Sequence, residues 1–335
     1  MTNVAVVGSG HWGAQLVRNF AELGALAWIC DADEGLLAKH ASNHPGVRVT
    51  PRIDEVLSDA GVDAVVVSTP AEMHAPMAKA VLAAGKDVFV EKPLALRYKE
   101  GQEIAGLADG RGAILMVGHL LEYHPAVVKL REIVASGDLG RVRYVYSNRL
   151  NLGRVRQREN ILWSFAPHDI SVLSGLLGAE PLSVSTAGGA YLQDDIADVT
   201  VTNLAFAEGV RAHIFVSWLH PHKEAKLVVI GDRKMAVFDD LSEEGKLTVL
   251  DKGIDWKEGL PVARETEGEP IPVGDEEPLR AECRHFLECV EQRRRPLTDA
   301  DNGLSVLKVL EASQMSLDRG GEPVFLTEVE SALPV

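Results

Sequence analysis

Three groups of residues in this chain have the types and spacing to do chemistry. Gly8, Gly10 and Gly13 form a G-x-G-x-x-G pattern in VAVVGSGHWG, with His11 and Trp12 inside the same loop. The first glycine makes a turn, the second lets backbone approach a pyrophosphate, and the third lets a helix pack on a strand. The helix N-terminus then attracts the anion. Asp31 closes the next apolar run, ALAWICD, at the distance where such folds hold the adenosine ribose. A carboxylate there accepts from both ribose hydroxyls and repels a 2′-phosphate. Ala32, Asp33 and Glu34 follow with no arginine to receive one, so the expected cofactor is NAD. The third group is Glu91-Lys92-Pro93 in VEKPLAL, directly behind GKDVFV. Proline stops a strand abruptly, and ligands of parallel sheets bind beyond the carboxyl ends of their strands. Thr69-Pro70 and Glu91-Lys92-Pro93 end two successive runs, which places Lys92 in the cofactor cleft. Burial and a nearby cationic nicotinamide both lower a lysine pKa and fit it to take a proton from an alcohol. On spacing alone, a solvated surface lysine remains the alternative.

The elements that must position these residues alternate in type. Apolar runs at 3–8, 25–31, 47–50, 62–69, 87–92 and 114–119 are separated by helical stretches, the rhythm of a doubly wound parallel sheet. Thr69, Pro70 and Glu72 read as a capping box opening a helix. After residue 118 the pattern changes. A helix over 125–137 leads into long alternating runs that predict a large, mostly antiparallel sheet with one polar face. Residues 255–278, rich in Pro, Gly and acid, read as surface loop, and two helices follow. The expectation is an α/β chain with a nucleotide domain at 1–118 and an α+β domain at 119–335. A broad sheet of this kind often pairs with a copy of itself, so a homodimer or homotetramer is expected.

Composition narrows the partners. At 335 residues the chain is sized for about two domains. A net charge of −15 argues against nucleic acid and anionic membranes. Cys30, Cys283 and Cys289 have no metal-like spacing, and no leader or spanning run is evident, which predicts a cytoplasmic protein. His40, His44, His220, His222 and His285 lack convergent partners, so no metal is expected.

The amino-terminal glycine motif, Thr69-Pro70 with His74, Glu91-Lys92-Pro93 and GHLLEYHPAVVKLREIVASGDLGRV together resemble the glucose–fructose oxidoreductase/inositol dehydrogenase (Gfo/Idh/MocA) family. The resemblance covers nearly the whole chain. It implies a Rossmann domain with an open-faced sheet domain, NAD(P)-dependent chemistry on sugar-like alcohols, a catalytic Lys92, and cofactor contacts from Thr69, Pro70, His74 and Glu91. The family's D-x-x-x-H pair falls in WSFAPHDISVL, with His168 at the histidine and Ser164 in place of the aspartate; Ser171 replaces a further one. His168, read as starting a helix behind Pro167, is the second catalytic candidate, and which of Lys92 and His168 accepts the proton stays open. His119 and Tyr123 lie in a stretch that borders the substrate in the family. Six arginines stand between 141 and 158, a concentrated positive patch suited to fork a diphosphate. The run SNRLNLGRVRQRENILWSFAPHDISVL is similar to the nucleotide-sugar 3-dehydrogenases of the family. That likeness implies UDP-N-acetylglucosamine, or its glucuronate, as substrate, with Arg149, Asn151, Arg154, Arg156 and Trp163 among its contacts. A dehydrogenase of a free sugar or polyol is the rival reading, and a non-catalytic NAD-sensing regulator the reading from another class.

Overall fold

The computed structural model describes residues 2–153 and 155–331. Its chain divides into two compact units, Met1–Tyr123 with Glu276–Leu307, and His124–Asp275 with Lys308–Val335.

In the first unit, β1 (Val4–Val7), α1 (Gly13–Glu22), β2 (Leu26–Cys30), α2 (Glu34–Asn43), β3 (Arg48–Thr50), α3 (Ile53–Ser58), β4 (Ala64–Val67), α4 (His74–Ala83), β5 (Asp87–Glu91), α5 (Tyr98–Arg111) and β6 (Leu115–Gly118) follow in order. The six strands are parallel, in the order β3-β2-β1-β4-β5-β6. Every residue of β1, β4, β5 and β6 is buried, which is why these segments read as unbroken apolar runs instead of alternating ones. Strand order reverses between β1 and β4, so the crevice beyond their carboxyl ends is the switch point where such sheets bind ligands.

In the second unit, α6 (Pro125–Ala135), β7 (Val142–Leu152), α7 (Ile161–Leu177), β8 (Ser183–Gly189), β9 (Val199–Ala205), β10 (Arg211–Ser217), β11 (Leu219–Gly231), β12 (Met235–Asp239), β13 (Leu247–Leu250), β14 (Gly253–Lys257), β15 (Leu260–Arg264) and β16 (Glu269–Pro270) come next. The chain then forms α8 (Pro278–Gln292), α9 (Ala300–Asp318), β17 (Val324–Phe325) and α10 (Leu326–Ser331). Nine strands make one sheet, β16-β13-β12-β11-β7-β10-β9-β8-β17. Within it β7 and β10 run parallel and the other paired strands antiparallel.

Three features depart from the sequence reading. Residues 276–307 return to the first unit instead of following a boundary at 118, because Leu279, Cys283, Phe286 and Cys289 of α8 pack into the same core as Phe20, Phe89 and Met116. The stretch read as loop holds a hairpin, β14 against β15, turned by Glu258 and Gly259, both at positive φ. Finally, the capping box at Thr69 does not form. Pro70 is extended, residues Ala71–Met73 make a 3₁₀ turn without a side-chain cap, and α4 starts at His74.

Candidate active site

The glycine loop meets the steric demands of its motif. Gly8 sits at φ +88°, and a Cβ there would meet the Ser68 carbonyl oxygen at 2.6 Å. A Cβ on Gly13 would lie 2.0 Å from the Gly8 carbonyl oxygen, so the start of α1 meets the turn directly behind β1 through backbone. A Cβ on Gly10 would meet nothing within 4 Å, which leaves the middle of the loop open to a pyrophosphate at the start of α1. The residues present therefore fit a dinucleotide.

Asp31 follows the end of β2. One oxygen accepts from the Ser9 amide at 2.5 Å and the Ser9 hydroxyl at 2.9 Å, and the other accepts from the Asp33 amide at 2.9 Å. Burial pushes its pKa up, but these hydrogen bonds outweigh it and hold the carboxyl below its ordinary value. The carboxylate stays charged and is oriented by the same loop that meets the pyrophosphate. Ser9 is a partner that motif spacing alone does not name.

At the other strand ends, the Trp12 indole donates to Glu91 at 2.6 Å, and Glu91 is buried. Lys92 is half-buried, and Pro93 follows it through a cis bond. His74 is almost fully buried, and its two ring nitrogens face the carbonyl oxygens of Pro93 (2.7 Å) and Thr69 (2.9 Å). Expected as a cofactor contact, it is placed as a brace between the two strand ends that carry Thr69 and Lys92. His119 lies buried beyond β6, with Nδ1 2.5 Å from the Asn302 amide oxygen. Burial first, then the charge of Lys92, pushes its pKa down to about 4, so the ring is neutral. Lys92, His119 and Asn302 thus share one neighbourhood. Tyr123 is corrected from substrate contact to core residue. Its hydroxyl bonds Thr298 at 3.0 Å and its ring packs beside His285.

In the second unit, α7 begins at Ile161, capped by the Asn160 side chain, and Pro167 lies inside it. His168 is therefore mid-helix and half-buried, and does not start the helix as expected. Its neighbour Asp169 is buried. Arg149 donates to it from Nε and Nη2, both at 3.0 Å, and Ser147 adds a bond at 2.7 Å. That bidentate pair takes up the fork expected to hold a diphosphate. Arg141 pairs with Glu208 and Arg143 with Asp232, both at 3.1 Å. Arg156 is exposed, 3.4 Å from Glu159. Asn151 sits half-buried on β7, and the Trp163 indole donates to Gln314 at 3.0 Å. Arg154 lies outside the described residues. Among the described residues no cluster of His, Cys, Asp or Glu could hold a metal ion, and no helix is long and apolar enough to cross a membrane.

A pyrophosphate cradle at a parallel-sheet switch point, with a charged carboxylate where the ribose falls, defines an NAD-binding oxidoreductase. The chain belongs to the GFO/IDH/MocA family. Residues 2–119 match the oxidoreductase family, NAD-binding Rossmann fold, and residues 127–237 match the GFO/IDH/MocA C-terminal domain. It is 27% identical over 303 residues to the UDP-N-acetylglucosamine 3-dehydrogenase of Acidithiobacillus ferrooxidans, spanning 90% of this chain and 93% of that protein. A solved structure of that enzyme superposes with a TM-score of 0.84 at 26% identity, covering 95% and 98% of the two chains. The scyllo-inositol 2-dehydrogenase (NAD(+)) of Bacillus subtilis is 28% identical over 81% of this chain and 80% of its own. GenD2 from gentamicin A biosynthesis, solved with NAD, matches with a TM-score of 0.82 at 26% identity over 97% of this chain and 96% of its own. The protein is an NAD-dependent dehydrogenase acting on CH–OH groups.

Proposed function

We propose that this chain oxidises the C3 hydroxyl of a UDP-N-acetyl sugar, UDP-N-acetylglucosamine ahead of its glucuronate, to a 3-keto sugar ready for transamination. The observation that carries the reading is the likeness to the Acidithiobacillus enzyme, which runs along nearly the whole of both chains. NAD, when bound, supplies the hydride acceptor. Lys92 takes the hydroxyl proton with help from His168, and its charge steadies the developing carbonyl oxygen. Arg156 and Asn151 remain as contacts for the nucleotide end. The chain acts in the cytoplasm, in keeping with its free cysteines, and assembles as a homodimer or homotetramer through the sheet face where Tyr144, Tyr146 and His213 stack.

One observation favours the free-sugar or polyol reading. Arg141, Arg143 and Arg149 are each engaged by a carboxylate, which thins the patch expected to clamp a diphosphate. Incubating the chain with NAD and UDP-N-acetylglucosamine should form NADH and a 3-keto product. Lys92→Met should lower turnover roughly a thousandfold while leaving NAD affinity within a few-fold, the scale of losing a positioned proton acceptor. Equal turnover of N-acetylglucosamine without its nucleotide would overturn the nucleotide-sugar reading.

A further inference from the structure

Two carboxyl groups are buried together in the first unit, and the reaction outlined above uses neither. On β5, Phe89 and Glu91 point to the same face of the sheet, about 6.6 Å apart along the strand. On α8, Glu282 lies one turn before Phe286 on the same helix face, a step of about 6 Å. Arg293, just past the end of α8, pairs with Asp87 at the start of β5, so helix and strand run in opposite directions. The Phe89 and Phe286 rings meet with centroids 5.6 Å apart, and matching steps from that contact bring Glu91 and Glu282 within electrostatic reach of one another. Glu91 is 7% exposed and Glu282 0%.

Their hydrogen bonding differs. Glu91 accepts from the Trp12 indole at 2.6 Å and from the Lys92 amide at 3.3 Å, and its carboxyl group packs against Gly118. Glu282 has no hydrogen-bond partner for either oxygen among the described residues. A buried carboxylate without donors is far costlier than a buried carboxylic acid, so the group without donors keeps its proton and the group with two donors releases it.

The groups bearing on the pair from the surrounding elements fit that order. Lys92, next to Glu91, favours its charge; Tyr123, Cys283 and Glu91 itself lie within electrostatic reach of Glu282 and bring it no cation. His119, facing Lys92, is neutral. Burial, opposed by Trp12 and Lys92, leaves Glu91 ionising at about 7, while burial and then the charge of Glu91 hold Glu282 well above the carboxylate range.

We propose that, as pH rises, Glu91 releases its proton while Glu282 keeps its own, and that the charge then left on Glu91 fixes the Trp12 indole within the dinucleotide loop, so that this loop's hold on the cofactor depends on pH. Glu91 and Glu282 are then positioning residues, acting on the cofactor through Trp12. A charged acceptor binds an N–H more strongly than a neutral one, and a loop already fixed loses less freedom when it closes on a ligand.

The test uses the full chain with ¹⁵N-labelled tryptophan, the Trp12 indole being assigned by its loss in Trp12→Phe. That resonance should titrate with a midpoint at about 7. NADH affinity, read by its fluorescence, should rise about fivefold from pH 6 to pH 8, the factor for one strengthened hydrogen bond. Glu91→Gln should abolish both changes. Glu282→Gln replaces one neutral group by another and should move the midpoint by less than about half a unit. If that variant fails to fold, Glu282→Met should titrate no lower than the wild type. A flat wild-type resonance, a titration that survives Glu91→Gln, or a Glu282→Gln midpoint lowered by more than about one unit would each overturn the proposal, the last by showing that Glu282 carries the charge.

Discussion

Breaking the Arg149–Asp169 pair should cost stability before it costs substrate affinity. Asp169 is 1% exposed and accepts two guanidinium bonds at 3.0 Å and one hydroxyl bond at 2.7 Å. Arg149→Met leaves that carboxylate with Ser147 alone, and Asp169→Asn leaves the guanidinium without its hydrogen-bonded charge partner, with only the charge of Asp240 within reach. Removing one member of a buried pair costs about 3–5 kcal/mol, because the other charge stays buried and uncompensated. For a unit of this size that corresponds to roughly 6–20 °C in Tm. Replacing both, as Arg149→Met with Asp169→Leu, should recover most of the loss, since an apolar pair of similar volume carries no desolvation cost. Urea unfolding followed by Trp163 and Trp218 fluorescence, both in the same unit, reads the effect directly. KM for the sugar, measured at a temperature where every variant is folded, should change less than about threefold. An Arg149→Met protein of wild-type stability with a KM raised tenfold or more would refute the pairing argument and return Arg149 to the substrate.

Asp31→Ala should weaken NAD more than NADP, because the carboxylate that repels a 2′-phosphate is gone; titration of both cofactors checks this, and an unchanged preference would remove Asp31 from cofactor choice. His119 concerns acid stability. Its folded pKa is pushed down to about 4 from an ordinary 6.5, so as pH falls the unfolded chain takes the proton first. The contribution is intact above pH 6.5 and is lost between 6.5 and 4, by about 3 kcal/mol. His119→Asn should flatten that limb of a stability-against-pH curve, and an unchanged limb would show that the ring is protonated in the fold.

The parallel sheet was legible because strands buried on both faces must be apolar throughout, as Val4–Val7 and Ala64–Val67 are. The glycine loop was legible because backbone contact, such as Gly13 on the Gly8 carbonyl oxygen, tolerates no other residue. What escaped depends on register or on long separation. Nothing local says that Arg149 on a strand will meet Asp169 on a helix, so the arginine run reads as a free cationic patch. Asn302 and Glu282 come from helices almost 200 residues beyond His119 and Glu91 in sequence, and no spacing rule reaches that far. The His168 segment misled because proline usually marks a helix start, whereas the Asn160 cap sets the start two turns earlier. Glu258-Gly259 was a turn signal obscured by the acidic composition around it.

The return of α8 to the first unit matters for how the protein is made. The nucleotide-binding half cannot close its core when its own strands leave the ribosome, because Cys283, Phe286 and Cys289 are still to be synthesised. About 150 residues of the other unit intervene, a wait of roughly 8–30 s at ordinary elongation rates. During that interval Phe20, Phe89 and Met116 have no cover from α8, and the sheet unit begins to emerge before its predecessor is complete. A nascent chain halted before residue 276 should therefore remain protease-sensitive through residues 2–123 and become resistant once residue 307 has cleared the exit tunnel.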